Sequence, residues 1–465
     1  MKLLAVAWRY AIICLAACAL VCCSKTDNPA DTEEERLLLK ANKFVYAYTT
    51  EAYLWSDDIP RNITYSSADN PVDLFELMRN KELDKWSYVT DKSKEAMESF
   101  QGVSTTFGYS LAFGRFSNAP DTYFAVVQYV YPNSPAQKAG LKRGDFLLTL
   151  NGGKLNESNY TQLYYGSSIS VGTGALNSDG AVASSGKTVS MTAVKMYEDP
   201  VAHYSVISTD GKKIGYLFYA GFYAESHSKL ADVFSYFQGE QVTDLILDLR
   251  YNLGGDAKTP SYLASLFAPY NVVKKKSVFL TQTWNDLYMD YFKGTGEDMN
   301  TYFHPDIPVN LNLSRVYVLT TGSTASASEA TISGLTPYMD VIKVGEKSYG
   351  KYCGAALITP KDASGKDDLE ISNWLLSLVI YKFVNTQGFT EFKDGIAPDY
   401  EASDSGLMSG IPLGSPEDPL VAKALELITG RATKAPALKI PAGVGLIPHM
   451  GEDVTRGGMK SIVNL

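Results

Sequence analysis

Three apolar runs set apart by helix-length stretches restrict this chain most. "KIGYLFYAGF" (213–222), "VTDLILDLR" (242–250) and "RVYVLTT" (315–321) read as strands, and the second is nearly continuous in apolar residues. A strand buried on both faces needs helices on both sides of its sheet. "SHSKLADVFSYFQGE" supplies an amphipathic helix between the first two runs, and "DVIKVGE" a further strand after the third. The strand–helix–strand rhythm from about 201 to 405 therefore predicts an α/β layer with crossover connections.

Around that layer the chain has room for more. Its 465 residues suffice for two or three domains with sizeable cores. Residues 35–92 carry a helical pattern, with Leu37, Leu38, Phe44, Val45, Tyr48 and the "YLW" of Tyr53, Leu54 and Trp55 on an apolar face, and "SADNPVDLFELMRN" starts a second short helix. Residues 93–200 are β-rich. There, "FAVVQYVYP" alternates as a strand, and "NSPAQKAGLKRGDFLLTLNGG" follows as turn, short helix, turn and strand. "SVGTGALNSDGAVASSG" reads as a Gly/Ser-rich insertion in this stretch. After 405 one helix, "PEDPLVAKALELITG", precedes a Pro/Gly-rich coil. The expected fold class is α+β multidomain: a small N-terminal helical domain, a β domain, an α/β core and a C-terminal helix with its tail (406–465).

Charge and cysteine usage narrow the partners. The formal net charge of −9 argues against nucleic acid, whose phosphates need a basic surface. The start, "MKLLAVAWRYAIICLAACALVCCSK", has Lys2 and Arg9 before an apolar run too short to span a bilayer, as in a secretory signal. It ends in Cys22-Cys23-Ser24 after Leu20 and Val21, which looks like a bacterial lipobox. Cys23, or alternatively Cys22, would then be lipidated, residues 24–34 would form a polar tether, and the chain would be an exported lipoprotein held to a membrane. Only Cys353 lies deep in the mature chain, so the core has to hold without internal disulfides.

"GSTASASEA" (322–330) follows a strand and precedes the helix-like run holding Ala327, Ala330, Ile332 and Leu335. Ser326 therefore stands at a helix start, where free N–H groups and the helix dipole favour an oxyanion. Taken alone, the position reads as a plain N-cap. An attacking serine needs a base. The four histidines, His203, His227, His304 and His449, sit in no recognisable motif, with His227 and His449 read as solvated surface. "VGEKSYGKYCGA" offers Lys351 beside Gly350, with Lys347 as competitor in a solvated turn. No paired metal-ligand spacing occurs, so neither metal nor cofactor is expected.

On these motifs the chain resembles the C-terminal processing peptidases, the tail-specific protease family of serine endopeptidases (S41), including its membrane-anchored, PDZ-bearing lipoprotein members. "GSTASASE" is similar to that family's nucleophile motif and "VGEKSYGKYCG" to its lysine motif. The family's 25-residue spacing matches Ser326 and Lys351. "LILDLRYNLGGD" (245–256) and "DGIAPDY" (394–400) match further family motifs. Residues 133–153 resemble a PDZ domain, and "TTFGYSL" its carboxylate-binding loop, in which Phe107, Gly108, Tyr109 and Ser110 would receive a peptide C-terminus. The resemblance implies a ClpP/crotonase-like core and a Ser326–Lys351 dyad. It also implies an oxyanion hole from Ala327 with Gly254 or Gly255, and polypeptide substrates with free C-termini. One departure stands out: the family's glutamine four residues after the lysine is here Ala355. Two other readings remain: a peptide-binding lipoprotein of the same fold without useful catalysis, and a glycan-binding surface protein suggested by the 31 tyrosines.

Overall fold

The N-terminal helix begins where a capping box places it. Thr32 Oγ1 accepts the Glu35 N–H at 3.1 Å and Glu35 Oε2 accepts the Thr32 N–H at 2.8 Å. In the computed structural model, which describes residues 32–431 and 443–447, this helix spans Glu33–Ala52. A second helix, Pro71–Met78, starts on Asn70, whose side chain accepts from Val72 and Asp73 N–H. Phe44, Val45, Tyr53 and Phe75 of this region bury into the same core as Leu376, Leu378 and Val379 of the α/β unit, so the helices have no separate core. A short strand, β1 (Tyr88–Thr90), likewise pairs with the α/β unit.

The β domain is built on a largely antiparallel sheet. Ahead of it stands β2 (Val103–Thr106). Its strands are β3 (Tyr109–Phe116), β4 (Ala119–Val130), β5 (Phe146–Leu150), the short β6 (Gly153–Lys154), β7 (Ser168–Leu176) and β8 (Val182–Thr192). β9 (Val194–Tyr197) returns to pair with β2. The stretch expected to be an insertion is instead the β7–β8 hairpin of this sheet. Its small residues still alternate burial, with Ile169 and Val171 inward, and Asn177 Oδ1 closes the turn by accepting from Asp179 and Ala181 N–H. Composition suggested a loop; alternation and turn chemistry decided otherwise.

The α/β unit carries two sheets. One runs β10 (Val201–Thr209), β11 (Lys212–Tyr219), β12 (Asp244–Asp248), β15 (Arg315–Thr320), β16 (Asp340–Gly345), β19 (Tyr400–Glu401), and is parallel from β11 onward. The other holds β13 (Val278–Trp284), β14 (Asn300–Tyr302), β17 (Cys353–Ile358) and β18 (Leu375–Val384) beside β1. All five residues of β12 are buried, as its apolar run predicts. Between the sheets runs the helix Ala327–Leu335, buried at every residue. Ile214, Tyr216, Phe218, Tyr317 and Leu319, facing away from the first sheet's helix-packed side, are covered by the helix Pro419–Thr429, capped by Asp418.

Two arginines join these parts. Arg250, fully buried just past β12, meets Asp248 at that strand's end and Asp418, the cap of the C-terminal helix, its Nη1 2.8 Å from Asp418 Oδ2. Arg143 of the β domain reaches Tyr251 Oη at 2.7 Å, Ile411 O at 2.9 Å and the Asp404 carboxylate. The tail is not all coil: Val444–Leu446 forms β20, an added strand on β3.

Candidate active site

The hydroxyl-rich turn after β15 is sorted by the glycine turn beside it. Thr324 Oγ1 donates to Leu249 O at 2.9 Å, Ser328 Oγ to Asn252 O at 3.0 Å, and Thr321 Oγ1 to Arg250 O. The Ala325 N–H also donates to Asn252 O, at 3.0 Å. Thr324 and Ser328 are therefore buried and spent on backbone. Ser326 is half-buried and holds φ 56°, ψ −111° just before the helix. A non-glycine residue at such a φ costs about 1–3 kcal/mol, which the surrounding bonds sustain. Strained strand-to-helix turns of this kind push a side chain out of the packing.

The glycine turn fits against that serine. A Cβ on Gly254 (φ +103°) would lie 2.7 Å from Ser326 Cβ and 3.0 Å from Ala327 N, so only glycine allows the approach. Of the two glycine amides considered for an oxyanion hole, Gly254 N–H already donates to Asn252 Oδ1 at 2.9 Å. Gly255 lies between the bridge bonds Phe222 N–H to Gly254 O (2.9 Å) and Asp256 N–H to Phe222 O (2.7 Å), with its own N–H outside that pair. Ala327 opens its helix, so its N–H lacks an intrahelical acceptor. Gly254 N–H is thus taken by the turn itself, while no intrahelical or bridge bond takes the N–H of Ala327 or Gly255. Asn252, fully buried, organises the turn through Tyr219 O, Ala325 N–H and Ser328 Oγ, a part that sequence reasoning did not assign.

Lys351 is half-buried and lines the same cavity as Ser326, whereas Lys347 is exposed and lies off it. One carboxylate links the two loops. Glu329, wholly buried, accepts Ser326 N–H (2.8 Å) and Lys351 N–H (2.8 Å) on Oε2, and Gly350 N–H (2.6 Å) and Ser348 Oγ–H (2.6 Å) on Oε1. Burial pushes its carboxyl above the ordinary range, and these donors pull the other way. Ser348 in turn exchanges bonds with Ile396, so the "DGIAPDY" segment braces the lysine loop. Lys351 Nζ lies 5.9 Å from the centroid of the Trp86 ring, a residue of the N-terminal region that the sequence did not mark.

Ala355 sits in β17 beside a bulge and lines the cavity, with no amide at that point. Cys353 is fully buried, and burial pushes its thiol up to about 12, so it stays a neutral packing residue. Of the described histidines, His203 is exposed on β10, whereas His227 and His304 are half-buried. His227 stacks on Tyr262 at 4.0 Å and bonds Thr259 Oγ1, and His304 bonds Ser261 Oγ. The solvated reading of His227 is corrected: burial lowers its pKa. His449, Cys22 and Cys23 lie outside the described residues. Among the described residues no His/Cys/Asp/Glu group could hold a metal, no helix is long and apolar enough to cross a membrane, and no tryptophan is exposed.

The cavity, about 2460 Å³, joins all three regions: Trp86, Ser110 and Leu111 line it with Ser326, Lys351 and Trp284. The loop read as a carboxylate site is partly engaged. Phe107 is core, Gly108 N–H donates to Thr106 Oγ1 (2.9 Å), Ser110 Oγ to Gln128 Oε1 (2.7 Å), and the next residue, Leu111, gives its N–H to Tyr164 Oη (3.1 Å).

Fold and site together define a multidomain chain in which a serine at a strained helix start shares one cleft with a lysine, beside a PDZ-type sheet. The family model "Peptidase family S41" matches residues 213–402, "Peptidase S41 N-terminal domain" 40–88 and "PDZ domain" 126–164. The chain belongs to peptidase family S41. Its sequence is 26% identical over 317 residues to a carboxyl-terminal-processing protease of Synechocystis, covering 67% of this chain and 66% of that one. It is 23% identical over 376 residues to the carboxy-terminal processing protease CtpB of Bacillus subtilis, covering 73% and 68%. Its match thus spans about two thirds of these curated relatives' length. A crystal structure from Bacteroides fragilis assigned to the S41 proteases superimposes with TM-score 0.71 at 24% identity over 88% of this chain and 99% of that one, which supports the fold.

Proposed function

We propose that this chain is a serine endopeptidase of the C-terminal processing type, acting on extended polypeptides through a Ser326–Lys351 dyad. The observation that carries the proposal is Glu329: one buried carboxylate holds the main chain of both residues at the lip of one cavity. That brace supports a fixed dyad even with Ala355 in place of the family glutamine. In the proposed reaction the neutral Lys351 amine takes the Ser326 Oγ proton as the oxygen attacks a peptide carbonyl. The new oxyanion lies against the Ala327 and Gly255 N–H groups. As the C–N bond breaks, the Lys351 ammonium returns its proton to the departing amine. Water, deprotonated by the same lysine, then hydrolyses the acyl-enzyme.

Fluorophosphonate labelling of the mature protein tests this, with Ser326→Ala as control. Adduct at Ser326, found by peptide mass, supports the peptidase. No adduct with or without added peptide would leave the alternative, a peptide-binding protein of the same fold. The proposal further includes export as a lipoprotein anchored at Cys23 (Cys22 as the alternative) and substrates with free C-termini. Metabolic palmitate labelling that persists when Cys22 and Cys23 are both changed to Ser would remove the anchor from this site.

A further inference from the structure

A peptide that adds a strand to the PDZ-type sheet would use the outer edge of β3, and that edge is already taken. β20 runs antiparallel along it, with Val444 opposite Phe116, Gly445 opposite Arg115 and Leu446 opposite Gly114. The ladder closes at both ends: Ser117 N–H donates to Gly443 O, and Ile447 N–H to Phe113 O, each at 2.8 Å. The approach is close, since a Cβ on Gly114 would lie 2.7 Å from Gly445 O. Nearer the loop, Tyr164 Oη takes the Leu111 N–H.

Two features separate this strand from an ordinary sheet member. First, its direction: it runs toward Tyr109 and the Phe107–Ser110 loop, as would a peptide whose C-terminus is received there. Second, its attachment rests mainly on backbone. Gly443, Gly445 and Leu446 are exposed, and only Val444 and Ile447 are partly buried. Gly445, Leu446 and Ile447 also line the cavity that holds Ser326 and Lys351.

We propose that residues 443–447 are an intramolecular strap occupying the peptide-docking edge of β3, which an extended polypeptide must displace to dock. The reading rests on the peptide-processing function above only for the nature of the incoming chain. Each main-chain bond that the strap makes to β3 can be remade by a peptide of any sequence, so exchange conserves hydrogen bonds. What the strap imposes is a lower apparent affinity, by the fraction of molecules in which the edge is open.

The test uses the full chain with Ser326→Ala, so that a bound peptide survives, and a fluorescein-labelled unstructured peptide with a free carboxyl terminus. Adding Ile447→Pro deletes the N–H given to Phe113 O. The dissociation constant measured by anisotropy is expected to fall about 3- to 10-fold. In the strap-intact Ser326→Ala protein, hydrogen exchange at residues 445–447 is expected to quicken under saturating peptide while β4 stays protected. Equal affinities together with unchanged strap protection would overturn the proposal, and so would no peptide binding by either protein. Fluorophosphonate labelling of Ser326 reports separately on the peptidase reading: adduct without strap exchange sinks the strap alone, and exchange without adduct sinks the peptidase alone.

Discussion

At the scale of single residues, roles that look alike in the sequence separate by what each side chain touches. Lys351→Ala removes only the proposed proton acceptor, so fluorophosphonate acylation is expected to fall about 10²–10⁴-fold with the melting temperature little changed. A normal acylation rate would clear Lys351 of the role. Glu329→Gln should act differently. Its amide group must turn toward N–H or O–H donors that now meet a carboxylate, so both loops shift. Acylation is expected to drop about 10²-fold, with a lower melting temperature as well. Cys353 gives a pH prediction. Its thiol is raised from 9.0 to about 12 by burial, so its linked stability is fully present below about 9 and lost as pH rises through about 12. Iodoacetamide at pH 8 should therefore modify Cys353 only in unfolded molecules; rapid modification under native conditions would contradict the burial.

At the scale of elements, the buried Asp248–Arg250–Asp418 cluster joins β12 to the C-terminal helix. Asp418 has two duties: it pairs with Arg250 and accepts from Leu420 and Val421 N–H as the helix cap. Asp418→Ala leaves Arg250 buried with less compensation and uncaps the helix. The expected loss is about 3–5 kcal/mol in denaturant unfolding. A change under 1 kcal/mol would mean that the cluster is not a working joint. The elements also show where sequence reading is sound and where it thins. β11, β12 and β15 were legible because an unbroken apolar run has few other uses. The β7–β8 hairpin was not, because Gly172, Gly174 and Ser170 carry little hydrophobic signal and its evidence is the pairing of distant residues.

At the scale of the whole molecule, the PDZ-type sheet is held to the α/β unit through Arg143, whose guanidinium reaches Tyr251, Asp404 and the main chain at Gln128 and Ile411. Arg143→Ala should leave Asp404 and the Ile411 carbonyl short of a donor. Calorimetry is expected to show a single unfolding transition splitting into two, with the first lowered by about 2–4 kcal/mol. One transition at the original temperature would show the two units held by other contacts. The site belongs to this scale as well: Trp86, Ser326 and Leu111 come from three regions and meet only in the cleft.

What the sequence determined by itself was local: strand runs, a serine before a helix, a lysine beside a glycine, and the motif likeness that joins Ser326 to Lys351. These are written in short windows, where periodicity, turn chemistry and small-residue patterns act. The tertiary structure alone decided which hydroxyls are spent. Thr324 and Ser328 bond backbone lying 75 and 76 positions away, which leaves Ser326 as the one held before the helix at a strained φ. It also decided that Gly254 N–H is occupied, that Trp86 faces Lys351, and that residues 443–447 lie on β3. Hydrogen bonds and ring contacts form between whatever atoms the packed fold brings together, and no single window of the chain records that meeting.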